Sequence, residues 1–145
     1  MNERNIKLDD AMPLIKEKLA SGGSVTLSPR GTSMLPLLRP GVDSVVIKKA
    51  PDKLKKHDLP LYRRQNGDFV LHRVVKAIEG EYVMRGDNQN WCEYGIKHEQ
   101  ILALAVGMYK NGEYISFNSV KYWIYTRKRY LRRILSRLKN KIRKT

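Results

Sequence analysis

The chain has 145 residues, a formal net charge of +15 and one cysteine, Cys92. That length suits one domain, which buries roughly 70% of its unfolded surface on folding and needs no staples. A lone cysteine excludes an intrachain disulfide and fits a reducing compartment. The opening MNERNIKLDD lacks the apolar stretch of a secretory signal, and no run nears the roughly 18 apolar residues of a membrane span, so a cytoplasmic location is expected. The charge is unevenly placed. Residues 1–120 carry 18 basic and 14 acidic side chains, net +4, whereas 121–145 carry 11 basic and no acidic ones, net +11. The expected organisation is a globular body over 1–120 and a polycationic tail over 121–145.

In chain order, LDDAMPLIKEKLA (8–20) predicts a short helix with Met12, Ile15 and Leu19 on its buried side. Asp9 or Asp10 is the expected cap, Pro13 lies in the expected first turn, and Gly22-Gly23 stop the helix. Residues 24–117 read as β-rich. SVTLS, DSVVIKK, DLPLYRR, FVLHRVVKAI, EYVMRG, ILALAVGMYK and EYISF are strand-like runs, with hairpin turns expected at Asn66-Gly67, Glu79-Gly80 and Asn111-Gly112. Their spacing predicts a compact, antiparallel, partly closed sheet. In the tail, Leu131, Ile134, Leu135, Leu138 and Ile142 recur at helical spacing among Arg and Lys, with Trp123, Tyr125 and Tyr130 near its start. This pattern predicts a basic amphipathic helix.

Three segments carry candidate chemistry. In RGTSMLPLLRPG (30–41), Ser33 sits in a tight loop between Gly31 and Pro36, just after a strand. Such a loop can hold a hydroxyl at a fixed angle and turn amides toward an oxyanion, although the same residues also make an ordinary turn. In FVLHRVV (69–75), alternation places Val70, His72 and Val74 on one strand face. His72 is there either a satisfied, half-buried histidine or a base that takes the Ser33 proton and returns it to a leaving amine. In RGDN (85–88), Asp87 is either part of a turn or a carboxylate that accepts the other imidazole N–H and orients the ring.

Together, Gly31-Thr32-Ser33-Met34-Leu35-Pro36, the run LPLYRRQNGDFVLHRVV, then MRGDN and ILALAVGMY resemble the signal peptidase I superfamily, including its self-cleaving repressor relatives. The likeness spans about residues 24–109 in the family's order and spacing. His72-Arg73-Val74 is similar to the branch that uses histidine rather than lysine as base, found in endoplasmic-reticulum, archaeal and sporulation-type enzymes. The resemblance implies a mainly β fold of coiled antiparallel sheets around a shallow groove. It makes 1–120 a peptidase domain with Ser33 as nucleophile, His72 as base and Asp87 as its partner. The Ser33 amide and Thr32 are the implied oxyanion donors, with Met34 and Pro36 beside the substrate. The implied activity is a serine endopeptidase that cleaves a precursor protein or peptide, as in signal peptide processing, with no metal or cofactor. The competing reading is a non-catalytic or self-cleaving module of the same fold, for which Ala20-Ser21-Gly22 is small enough to enter the groove.

The chain also departs from that family. Typical members carry a transmembrane anchor before the serine, where this chain has a short polar helix. Gly31 stands where a second serine often helps the oxyanion hole, and Gly41-Val42-Asp43 replaces a plain Gly-Asp. The acid that follows Gly-Asp-Asn in the histidine branch has no clear equivalent in QNWCEYG. Glu93 is the only acid there and receives no role. His57 reads as a turn residue, His98 has no visible partner, and the wide spacing of these histidines and Cys92 gives no zinc pattern. The tail admits three partners: the body's own sheet, an anionic membrane surface, or nucleic acid. The last ranks behind the membrane because no recognition motif accompanies the charge.

Overall fold

A computed structural model of the chain describes residues 7–144, with backbone alone for 128–130, so Met1–Ile6 and the Tyr130 side chain lie outside the described residues. The elements are α1 (Leu8–Ala20), β1 (Val25–Leu27), β2 (Ser44–Lys48), β3 (Pro60–Arg63), β4 (Phe69–Leu71), β5 (Arg73–Ile78), β6 (Glu81–Arg85), β7 (Glu93–Lys97), β8 (Ile101–Lys110), β9 (Glu113–Ser116) and α2 (Val120–Arg143), with one 3-10 turn at His98–Gln100. The molecule is mainly β and antiparallel, with a short helix at one end and a long one at the other.

Helix α1 spans the expected residues and buries Met12, Ile15 and Leu19. Its start differs in detail. Lys7 is the N-cap and no side chain caps it, so Asp9 and Asp10 lie inside the first turn. There their charge still favours the N-terminal end of the helix dipole, and Asp9 also pairs with Arg63 at 2.9 Å. Pro13 consequently falls beyond the first turn, within the helix. The stop is a Schellman motif: Gly22 N–H bonds the Leu19 carbonyl, Gly23 N–H bonds that of Lys18, and Gly22 has φ +86.

The strands form two antiparallel sheets, where strand spacing alone predicts one partly closed sheet and the family resemblance implies more than one. In the six-stranded sheet the order is β1-β2-β8-β3-β4, with β9 also on β8. β8 is ten residues long and serves three partners: β2, then β3 along its first half and β9 along its second. β5, β6 and β7 form the smaller sheet. Bulges at Val46/Ile47, Leu61/Tyr62 and Val74/Lys76 bend the strands. Because side chains alternate across a strand, the large sheet has two covered faces. Leu61, Ala103 and Ala105 pack toward α1 and the serine loop, with Met34, Leu37 and Leu38. Tyr62 and Val70 pack toward the small sheet, with Val74, Tyr82, Met84 and Ile96.

The run FVLHRVVKAI does not make one strand. β4 ends at Leu71, β5 starts at Arg73, and the two belong to different sheets, so His72 is the joint. Val70, His72 and Val74 are buried as expected, but so is Arg73 between them, so the alternation ends where the strand breaks, at His72. β7 carried no strand signal, since the preceding QNWC and Gly95 interrupt the pattern. Helix α2 begins one residue before the tail boundary, capped by the Ser119 hydroxyl, which accepts the Tyr122 N–H. None of the described helices is long and apolar enough to cross a membrane.

The serine loop is closed at its far end by Asp43. Its buried carboxylate accepts the Arg39 backbone N–H at 2.8 Å, the Arg39 guanidinium at 2.9 and 3.0 Å, and Lys110 Nζ at 2.8 Å. Burial alone would raise its pKa, but the bonds to Arg39 and Lys110 outweigh that and hold it well below the ordinary range. Asp43→Ala leaves the Lys110 ammonium buried against an empty site. A loss of about 3–5 kcal/mol is expected from urea unfolding; a loss below about 1 kcal/mol would mean that Asp43 behaves like a surface pair.

Candidate functional site

Ser33 is half-buried in the loop over 31–38, and Thr32 beside it is exposed. Three contacts fasten this loop to the turn after β6. The Ser33 carbonyl accepts the Asn88 N–H at 2.7 Å, the Thr32 carbonyl accepts Asn88 Nδ2 at 3.1 Å, and Met34 Sδ accepts the Asp87 N–H at 3.5 Å. Gly86 permits this approach. A Cβ there would lie 2.8 Å from the Ser33 carbonyl oxygen and 2.7 Å from Gln89 Oε1, closer than real contacts allow. Met34, expected beside the substrate, is buried in the core under the loop, whereas Pro36 is exposed.

Asp87 is buried and held bidentately by Arg73, Nε to Oδ1 at 2.8 Å and Nη2 to Oδ2 at 2.9 Å. Arg73 Nη1 donates to the His57 carbonyl at 2.8 Å and to the Tyr122 hydroxyl at 2.9 Å. Burial disfavours the guanidinium charge, yet the bonds to Asp87 more than offset this and raise the Arg73 pKa. His72 directly precedes Arg73. Ser33 and His72 are thus linked indirectly, through Arg73, Asp87 and Asn88, and among the described residues no direct hydrogen bond joins their side chains.

His72 is only 3% exposed. Its Nδ1 lies 3.4 Å from the Tyr62 hydroxyl, which donates its one proton to Glu93 Oε2 at 3.1 Å. Arg64 holds the same carboxylate at 2.9–3.1 Å. Desolvation, offset by the bonds from Arg64 and Tyr62, leaves the Glu93 pKa lowered, so the carboxylate is ionised and acts only as an acceptor. Burial, then the Glu93 charge, raises the Tyr62 pKa, so the phenol keeps its proton. With that proton committed to Glu93, the Tyr62 oxygen can only accept from His72. The proton of neutral His72 is therefore on Nδ1, and Nε2 keeps its lone pair.

Asp87, the expected orienting group, thus binds Arg73 with both oxygens, and Tyr62 stands at the imidazole Nδ1. Asp87 still acts on the ring by its charge. Burial lowers the His72 pKa, Arg64 lowers it further, Glu93 and Asp87 oppose, and the result is about 4. Sequence reasoning passed over Tyr62 and gave Glu93 no role. A signal for Tyr62 existed: the Asn66-Gly67 hairpin pairs Tyr62 with Val70, making His72 its diagonal neighbour. Nothing local marks Glu93, which arrives from the other sheet. Of the remaining histidines, His57 lies in an exposed turn, and His98 Nδ1 sits 2.9 Å from the Tyr82 hydroxyl.

Ala20 ends α1, and Ser21 and Gly22 belong to its Schellman stop. This segment must unwind before it can enter any groove. Among the described residues no cluster of His, Cys, Asp and Glu has the makings of a metal site. Comparison of the chain with protein-family profiles, curated proteins and solved structures gave no match.

The burial of His72 has a measurable consequence. Its ring carbons should titrate by NMR near pH 4, not near the ordinary value of about 6.5. A midpoint above about 6 would mean that the imidazole is hydrated and the Tyr62 contact is open.

Proposed function

We propose that the chain is a serine endopeptidase of the signal peptidase type, acting on a peptide bond of a precursor protein or peptide. The observation that carries this reading is the Asn88–Ser33 bond linked through Asp87–Arg73 to His72, a buried imidazole whose Nδ1 faces the Tyr62 hydroxyl. In the coiled two-sheet fold expected of that family, the serine loop and the joint between the sheets are the two parts such a site needs.

The Ser33 hydroxyl attacks the scissile carbonyl carbon while His72 Nε2 takes the hydroxyl proton. The carbonyl oxygen becomes the oxyanion, with the Ser33 amide and Thr32 as donors. Collapse breaks the C–N bond, the imidazolium gives its proton to the leaving amine, and an acyl ester remains on Ser33. Water then attacks the ester and loses a proton to His72; collapse breaks the C–O bond, releases the acid product and returns that proton to Ser33 Oγ. The Tyr62 oxygen holds Nδ1–H throughout, and ionised Glu93 beyond it stabilises the imidazolium as it forms. Asp87 contributes its charge and, through Arg73, the position of the ring. Exposed Pro36 stays at the rim where a substrate would lie, while Met34 anchors the loop from below.

Ser33→Ala and His72→Ala should each abolish cleavage without unfolding the chain, measured on a peptide substrate with small residues before the cut. Stoichiometric attachment of a serine-reactive acylating inhibitor to Ser33, read by intact mass, separates an enzyme from a non-catalytic module; absence of labelling would favour the module. Cleavage should rise with pH through an acid limb near 4 and be flat across neutrality, since deprotonated His72 is the active form. Tyr62→Phe should slow cleavage by about five- to tenfold, the worth of one neutral hydrogen bond. An unchanged rate and pH profile would remove Tyr62 from the mechanism.

A further inference from the structure

Helix α2 has two unlike faces. At about 100° per residue, Tyr122 and Arg133 fall on one side. Both reach the body: Tyr122 stacks on Phe117 at 4.0 Å and accepts from Arg73, and Arg133 donates to the Gln89 carbonyl. Ile124, Leu131, Ile134, Leu135, Leu138 and Ile142 occupy a single arc of roughly 100° on the opposite side. All six are exposed, and Leu131, Leu135 and Leu138 are each more than half exposed. Arg132 and Lys139 border one edge of this stripe, Arg137 and Lys141 the other.

We infer that α2 is an in-plane membrane-docking helix whose outward stripe enters the headgroup boundary of an anionic bilayer. Charge complementarity selects this occupant. The helix and its last residues hold 11 basic and no acidic side chains from 121 on, so a second copy would set cation against cation along both edges. Nucleic acid could neutralise the cations but would leave the leucines in water. An anionic leaflet meets both demands: alkyl chains accept the stripe, and bordering Lys and Arg side chains lie along its edge with their charges at the phosphates. Trp123, exposed near the helix start with Arg127 over its ring at 4.3 Å, suits the same interfacial depth. With α2 between them, Gln89 and the bilayer would be about one helix diameter apart, roughly 10 Å. The inference stands apart from the peptidase reading, since neither the stripe nor its charges belong to the candidate site.

The test is sedimentation of the full chain with vesicles of phosphatidylcholine alone and of phosphatidylcholine mixed with phosphatidylglycerol, with Trp fluorescence read in parallel. Mixed vesicles should bind at least about tenfold more tightly, with a blue shift, and binding should weaken with salt. The triple variant Leu131→Ser, Leu135→Ser, Leu138→Ser should lose at least about tenfold on mixed vesicles. Its unfolding curve should stay unchanged, because these side chains are exposed. Several results would overturn the inference: no vesicle binding, binding that the triple variant retains in full, duplex DNA or RNA held more tightly than vesicles by wild type and variant alike, or a dimer that the triple variant abolishes.

Discussion

The Arg73–Asp87 pair is the contact on which the rest of the candidate site depends. Arg73 follows the joint between the two sheets, and Asp87 begins the turn that carries the Ser33 loop. One bidentate bond therefore ties the strand that follows His72 to the turn that carries the Ser33 loop, while the remaining Arg73 donors reach the His57 turn and the first turn of α2. A buried ion pair contributes little net stability compared with apolar packing of the same volume. Its physical value here is directional. The planar guanidinium fork admits one geometry for the carboxylate, so four segments distant in sequence share one fixed centre.

A second polar chain lies on the other side of the imidazole. Tyr62, Glu93 and Arg64 decide which nitrogen holds the proton, by a counting argument: a phenol has one hydrogen, and the ionised carboxylate takes it. A carboxylate placed directly on Nδ1 would raise the imidazole pKa strongly. A phenol between them passes on less of that charge, in keeping with the depressed value of His72. The proposed base is therefore neutral over the whole physiological range, at the cost of a weaker intrinsic basicity.

The same economy of contacts links the body to the tail. The side of α2 marked by Tyr122 and Arg133 meets the body at Arg73 and at Gln89, the latter in the turn fastened to the Ser33 loop. Whatever the outward stripe binds is thus mechanically connected to the elements around Ser33. Asp43 performs the corresponding task at the loop's other end, joining it to the last residue of β8.

Much of this was legible in the residues. The span of α1, the three hairpin turns, β8 from Ile101 to Lys110 and the basic amphipathic helix follow from periodicity and turn chemistry, which are local and survive without tertiary context. Ser33, His72 and Asp87 likewise stood out as candidates from their motifs. The chain order alone did not determine what pairs with what. FVLHRVVKAI satisfies a strand pattern throughout, and only the competition of two cores for its two faces breaks it at His72. In three dimensions Asp87 meets the bidentate fork of Arg73, which outcompetes a single imidazole N–H. Glu93 reaches Tyr62 from a strand 31 residues further along the chain, a meeting that no local pattern encodes, because hydrogen bonding between distant segments is settled only when the two sheets close on each other.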